Sequence, residues 1–109
     1  MAEPLLAEDE LWVGEMRGVA LGAERLLVVR LEDRVCVYRD RCPHQGYPLS
    51  EGKLEQGVIT CRVHEHRFDA ASGAGINPRG SCLSAVPTRV EGGRVWVELQ
   101  PAPARSALP

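Results

Sequence analysis

Two short motifs in the middle of the chain carry residue types that bind soft metals. The first is Cys42-Pro43-His44 and the second is Cys61-Arg62-Val63-His64. Sixteen residues separate His44 from Cys61, which gives the pattern C-x-H-x16-C-x2-H. Each motif offers one thiolate and one imidazole. One such pair would be weak, because Cys and His fall near each other by chance, but two in an otherwise plain stretch are a strong signal. Zinc accepts two Cys and two His in a tetrahedron. Structural zinc fingers, however, usually pair Cys with Cys and His with His. A mixed pair on each arm suits a binuclear iron–sulfur centre better, with both thiolates on one iron and both imidazoles on the other. Such a centre leaves no position open for substrate, unlike a catalytic metal site. The expected role is therefore to carry electrons, not to transform a substrate. Imidazoles are neutral donors, so they place the potential above that of an all-cysteine cluster, at roughly −150 to +300 mV. A zinc-binding or regulatory interaction module remains the alternative from another class.

The elements that must hold these motifs read as strands. Leu26-Leu27-Val28-Val29-Arg30-Leu31 is a short apolar run of strand length. After a turn at Glu32-Asp33, the segment 34–39 alternates, with Val35, Val37 and Arg39 on one face and Cys36 and Tyr38 on the other. Residues 88–91 and 94–99 predict a hairpin, because Gly92-Gly93 supplies the positive φ angles of a tight turn. Residues 12–16 are a weaker strand candidate, and residues 7–11 suggest a helical turn. Between about Asp40 and Gly80 the chain is rich in glycine, proline and short polar stretches, and only Val58-Ile59-Thr60 reads as a clear strand. A loop-rich insert that carries the ligands on a rigid β frame is a common way to present a functional site.

The chain has 109 residues, enough for one domain, expected over 1–100 with the insert at about 40–80. Residues 101–109 hold three prolines and little to bury, and are expected to be a mobile tail. The balance of 13 basic against 15 acidic residues gives a net charge of −2 and no basic field for nucleic acid. No apolar run approaches the 18 or so residues of a membrane span. Residues 1–15 carry five acids and no base, which predicts a solvated face or a frayed end and excludes a secretory signal. The expected location is the cytoplasm and the expected state a monomer. Four cysteines in such a chain point to metal or redox chemistry before disulfides.

With these motifs the chain resembles the Rieske iron–sulfur family. Phe68-Asp69-x-x-Ser72-Gly73 followed by Pro78 is similar to that family's second loop and its exit. Residues 11–16, 49–52, 57–62 and 75–78 resemble the ferredoxin component of toluene and alkene monooxygenase systems. The resemblance implies an all-β fold, an antiparallel β-sandwich with an inserted cluster-binding subdomain. It implies one [2Fe–2S] cluster, with Cys42 and Cys61 on the inner iron and His44 and His64 on the outer iron. It implies one-electron transfer from an NADH-dependent flavin and iron–sulfur reductase to a diiron hydroxylase, with the ferredoxin of a Rieske ring-hydroxylating dioxygenase as the alternative. High-potential relatives carry a disulfide whose positions here are Tyr47 and Val63, and hydroxyls whose positions here are His66 and Phe68. Fewer hydrogen bonds to the sulfurs then place the potential toward the lower end of the window.

The remaining residues of chemical interest have plainer expectations. Cys36 is expected as a buried small side chain and Cys82 as an inert thiol. Trp12 and Trp96 are expected in packing, not as electron relays. His66 is expected at the surface, with a role in tuning potential or docking as the sharper alternative. Arg41, Gln45, Arg62 and Arg67 flank the ligands and are candidates for a docking rim.

Overall fold

The computed structural model describes residues 2–42, 47–62, 65–77 and 79–98. His44, Gln45, His64, Val63, Pro78 and the expected tail 101–109 lie outside them. The strands are β1 (Ala2–Ala7), β2 (Glu15–Leu21), β3 (Glu24–Arg30), β4 (Val35–Arg39), β5 (Lys53–Glu55), β6 (Val58–Thr60), β7 (Arg67–Asp69), β8 (Gly75–Asn77), β9 (Thr88–Glu91) and β10 (Arg94–Glu98). They form three antiparallel sheets in the orders β1-β10-β9, β2-β3-β4 and β5-β6-β7-β8. Among the described residues the helical segments are single 3₁₀ turns at Glu8–Glu10 and Leu49–Glu51. No helix of the described residues is long and apolar enough to cross a membrane. The all-β expectation therefore holds, and the four-stranded sheet is inserted between β4 and β9.

The sheet β2-β3-β4 is the central layer, and the sequence of β3 explains why. Leu26, Leu27, Val28 and Val29 are all fully buried, so this strand is covered on both faces. Leu26 and Val28 pack with Leu6, Val37, Val86, Val95 and Val97, against the β1-β10-β9 sheet. Leu27 and Val29 pack with Tyr38, Leu49, Ile59, Phe68 and Leu83, against the insert. β4 obeys the same alternation. Val35 and Val37 face the first core, while Cys36 and Tyr38 face the second, as the period-two reading predicts. Each buried Leu or Phe in these cores stabilises the fold by about 1.5–3 kcal/mol through burial alone.

The expected hairpin is present, with Gly92 and Gly93 both at positive φ (61° and 77°) between β9 and β10. The acidic N-terminal stretch keeps the expected solvated face, with Glu3, Asp9 and Glu10 exposed, but it is not a frayed end. Residues 2–7 are not frayed but form β1, paired along β10 from Ala2↔Glu98 to Ala7↔Arg94. Pro4 is tolerated because β1 is an edge strand, and the register shifts between Pro4 and Leu6. The helical turn expected over 7–11 is the 3₁₀ turn Glu8–Glu10. The strand expected over 12–16 starts three residues later, at Glu15. Trp12 instead sits in the preceding loop and is 82% exposed, contrary to the packing expected for it. That loop is fixed by Arg30, whose guanidinium Nη1 donates to the carbonyls of Glu8 (3.0 Å) and Leu11 (2.7 Å). Leu11 is buried by this anchoring, and the indole one residue later is turned out to solvent.

Candidate metal centre

The first motif leaves β4 through Asp40, the one buried charged residue among those described (4% exposed). Its N–H donates to the Arg25 carbonyl (2.9 Å). Its carboxylate accepts twice from Ser50, from the backbone N–H at 2.8 Å and from the Oγ hydroxyl at 2.7 Å. A buried carboxyl is costly unless such donors replace water. Asp40 thus ties the entry of the first loop to the 3₁₀ turn at its exit. Gly18 on β2 leaves room for the pair, since a Cβ there would stand 2.7 Å from Ser50 Oγ and 2.8 Å from Asp40 Oδ2.

Both cysteines sit at the mouth of a loop closed in the same manner. Cys42 donates its N–H to the Tyr47 carbonyl (2.7 Å), and Cys61 donates its N–H to the His66 carbonyl (2.8 Å). In each case the acceptor lies five residues on, and the motif histidine lies inside the closed span. The second loop is tightened further by the Glu65 N–H, which donates to the Cys61 carbonyl at 3.0 Å, with Glu65 itself at φ 56°. The Cys42 and Cys61 side chains are each only 2% exposed and belong to one core cluster with Leu49, Ile59 and Phe68. Their donors therefore lie in an apolar wall, while the histidines' placement falls outside the described residues. Among the described residues, no group of three or more His, Cys, Asp or Glu gathers as a metal site.

The two loops are locked to each other by a glycine. Gly52 follows the first loop's 3₁₀ turn, and a Cβ there would lie 2.0 Å from the carbonyl oxygen of Thr60. Thr60 immediately precedes Cys61, so only glycine lets the backbones approach this closely. Below the second loop, Phe68 is fully buried and carries no hydroxyl. The following turn is built by Asp69, which accepts from Ser72 Oγ (2.7 Å), while the Gly73 N–H donates to the Asp69 carbonyl (2.7 Å). The Tyr38 hydroxyl donates to the Ala70 carbonyl (2.7 Å), pinning that turn to the central sheet.

The other candidate residues are simply placed. Cys36 is partly buried beside Tyr38 and donates weakly to the Ala71 carbonyl at 3.8 Å. Burial pushes the Cys36 thiol above its ordinary range, and burial likewise pushes the Tyr38 phenol well up. Both groups are thus held neutral. Cys82 is an exposed thiol, and neither it nor Cys36 is in a disulfide. His66 is partly buried at the base of the second loop. Trp96 is partly buried, in keeping with a packing role. Arg41, Arg62 and Arg67 are exposed around the loops, and Gln45 lies outside the described residues. Arg62 pairs with Glu51 at 3.1 Å across exposed surface, a contact worth little by itself.

Residues 2–87 match the family model of the Rieske [2Fe-2S] domain. The chain belongs to the Rieske family. Its cofactor is one Rieske-type [2Fe–2S] cluster. This Rieske chain is 45% identical over 98 residues to the alkene monooxygenase system ferredoxin component of Xanthobacter autotrophicus, covering 89% of this chain and 80% of that one. It is 31% identical over 97 residues to the biphenyl 2,3-dioxygenase ferredoxin component of Rhodococcus jostii, covering 88% and 91%. Among solved structures it is similar to a complex of reduced oxygenase and oxidized ferredoxin in carbazole 1,9a-dioxygenase (TM-score 0.79, 30% identity, covering 91% of this chain and 97% of that one). It shares its fold with the carbazole 1,9a-dioxygenase ferredoxin of Nocardioides aromaticivorans (TM-score 0.82, 24% identity, covering 92% and 99%). Two buried cysteines that share one apolar wall are a donor set that fits a cluster of this kind.

Proposed function

We propose that this Rieske protein is a ferredoxin, passing single electrons from an NADH-dependent flavin and iron–sulfur reductase to the diiron hydroxylase of an alkene or aromatic monooxygenase. The observation that carries the proposal is the matched pair of loops, each closed five residues beyond a cysteine whose side chain is buried in a shared core. In this account Cys42 and Cys61 would hold the inner iron and His44 and His64 the outer one. The cluster, when bound, supplies a one-electron donor and acceptor with no open coordination site. The chain's own residues do the rest. Asp40 and Ser50 tie the two ends of the first loop together, and Gly52 holds that loop against the second, so that little need move when the charge changes. Leu49, Ile59 and Phe68, packed with the two cysteines, would keep water from a bound cluster. Residues 1–100 act as one functional domain, with about 40–80 holding the cluster.

The relatives support this choice of partner class. The 45% identity to an alkene monooxygenase ferredoxin supports a monooxygenase partner over the ring-hydroxylating dioxygenases served by relatives at 31% identity or less. The test is anaerobic reduction of the protein by NADH and a flavin reductase, followed by mixing with a diiron hydroxylase or with a Rieske dioxygenase oxygenase component. Faster reoxidation by the diiron hydroxylase supports the proposal. Reoxidation by the dioxygenase component alone would assign the chain to the second system.

A further inference from the structure

We infer that Glu65 sets the reduction potential of the carrier: its carboxylate, held on the second ligand loop in a backbone conformation that disfavours it, opposes the arriving electron. The inference rests on the electron-transfer role proposed above. Glu65 stands between His64 and His66 in the chain and is exposed. Its φ is 56°, in the left-handed region. Among the described residues one other non-glycine shares that region, Gln56 at 51°, which forms the two-residue turn with Gly57 (φ 76°) between β5 and β6. A tight hairpin turn demands such angles, which accounts for Gln56. At Glu65 the demand comes from the loop closure. The Cys61 N–H reaches the His66 carbonyl (2.8 Å) and the Glu65 N–H reaches the Cys61 carbonyl (3.0 Å), so the chain must reverse at Glu65. Glycine meets that demand without steric cost, and Asn, Asp and His are the side chains that tolerate it best. Glu belongs to neither group. Strain of this kind persists where the side chain is used.

The charges around the loop show what the use is. The groove beside it is lined by three acids and three bases, Glu51, Glu55 and Glu65 against Lys53, Arg62 and Arg67. The groove is therefore balanced as a whole, but its charges are not equivalent. Arg62 and Glu51 neutralise each other at 3.1 Å. Lys53 and Glu55 offset each other on one face of β5. That leaves Glu65 and Arg67, both exposed and both outside any ion pair among the described residues. Glu65 is bonded directly to His64, a Cα–Cα step of about 3.8 Å, so its charge acts on that loop well within a Debye length. Arg67 lies three residues from His64. Two Fe(III) ions, two sulfides and two cysteine thiolates sum to zero charge, and neutral imidazoles add nothing. One added electron leaves such a centre at −1, with no bond made or broken. A neighbouring carboxylate raises the free energy of that reduced state and leaves the neutral oxidised state almost unaffected. Glu65 thus makes the reduced carrier a stronger one-electron donor.

The test is dye-mediated redox titration of the iron-loaded protein at one fixed pH, for wild type, Glu65→Gln, Glu65→Asp, Glu65→Gly and Arg67→Gln. Glu65→Gln should favour the reduced state on the order of threefold at low ionic strength, a rise of about 28 mV at about 59 mV per tenfold. Glu65→Asp keeps the charge and should stay at the wild-type value. Glu65→Gly should show the same rise as Glu65→Gln and, with the strain relieved, melt about 4 °C higher than wild type. Arg67→Gln should move the potential the other way. Added salt should narrow the gap between wild type and Glu65→Gln. Equal potentials in wild type, Glu65→Gln and Glu65→Gly would overturn the inference, while a Rieske EPR signal in those samples would leave the electron-transfer role standing. A shift in Glu65→Gln that Glu65→Asp shares, or that salt does not touch, would assign the effect to loop shape and overturn it equally. A wild-type protein with no Rieske signal after iron loading would remove the carrier role and the inference with it.

Discussion

Replacing Asp40 with Ala should loosen the first cluster loop at its root. The carboxylate accepts two hydrogen bonds from Ser50, at 2.8 and 2.7 Å, in a site where Asp40 is almost fully buried. Hydrogen bonds to a charged group contribute about 1.5–3 kcal/mol each, offset in part by the desolvation of the carboxylate. Ala removes both acceptors and leaves the Ser50 N–H without a partner, so a net loss of about 2–4 kcal/mol is expected. For a chain of this size that is a fall in Tm of about 8–20 °C. Asp40→Asn keeps one acceptor for the Ser50 N–H and should lose about half as much. The assay is thermal unfolding of the iron-loaded protein at a fixed scan rate, with iron per chain measured before heating. If Asp40→Ala melts within about 2 °C of wild type and keeps its iron, the account of Asp40 as the root of the loop is wrong.

Three further outcomes follow from the same geometry. Gly52→Ala places a Cβ 2.0 Å from the Thr60 carbonyl, so Thr60 and Cys61 must shift; iron retained after gel filtration should fall below half, while Gly92→Ala in the distal hairpin keeps full iron at a cost of about 1 kcal/mol. Tyr38→Phe removes the donor to the Ala70 carbonyl and should cost about 1–2 kcal/mol in denaturant unfolding, with unchanged potential. Because Cys36 and Tyr38 are both raised by burial, the folded state holds their protons more tightly than the unfolded chain does. Stability from this source is present below the ordinary thiol range and is lost as pH climbs past it, so Tm should drop above about pH 9. The drop should be smaller in Cys36→Ala, and an identical alkaline profile in that variant would contradict the cause assigned here.

Much of this architecture is legible in the sequence where side chains alternate over several residues. β3, β4 and the β9–β10 hairpin are of this kind, and even the division of Val35 and Val37 from Cys36 and Tyr38 between two cores follows from period two. β5, β7 and β8 are three residues each, too short for periodicity to register and without the run of β-branched residues that reveals the equally short β6, and they exist because each pairs with a neighbour. β1 is hidden by Pro4 and by acidic residues that suit an exposed edge. Trp12 misleads because its type suggests burial, while its place is dictated by Arg30 gripping the loop from another strand. At the site, the Cys and His motifs are visible as spacing. The clamps that shape the loops are not, because the Tyr47 and His66 acceptors are backbone carbonyls, which any residue supplies. Asp40 and Ser50 meet across ten residues of sequence, and the close approach at Gly52 has no signal beyond the glycine itself. Segment 49–52 is noticeable only through family resemblance, and its mechanical role becomes apparent once Thr60 is seen against it.

The most direct test of the central claim is low-temperature EPR of the purified protein before and after dithionite, with Cys42→Ser and His64→Cys alongside. A Rieske electron carrier predicts a silent oxidised form and a rhombic reduced signal whose average g lies below that of all-cysteine clusters. It also predicts loss of the signal in Cys42→Ser and an altered or absent signal in His64→Cys. An all-cysteine-type signal that His64→Cys leaves untouched, or bound zinc with no signal even after iron loading, would contradict it.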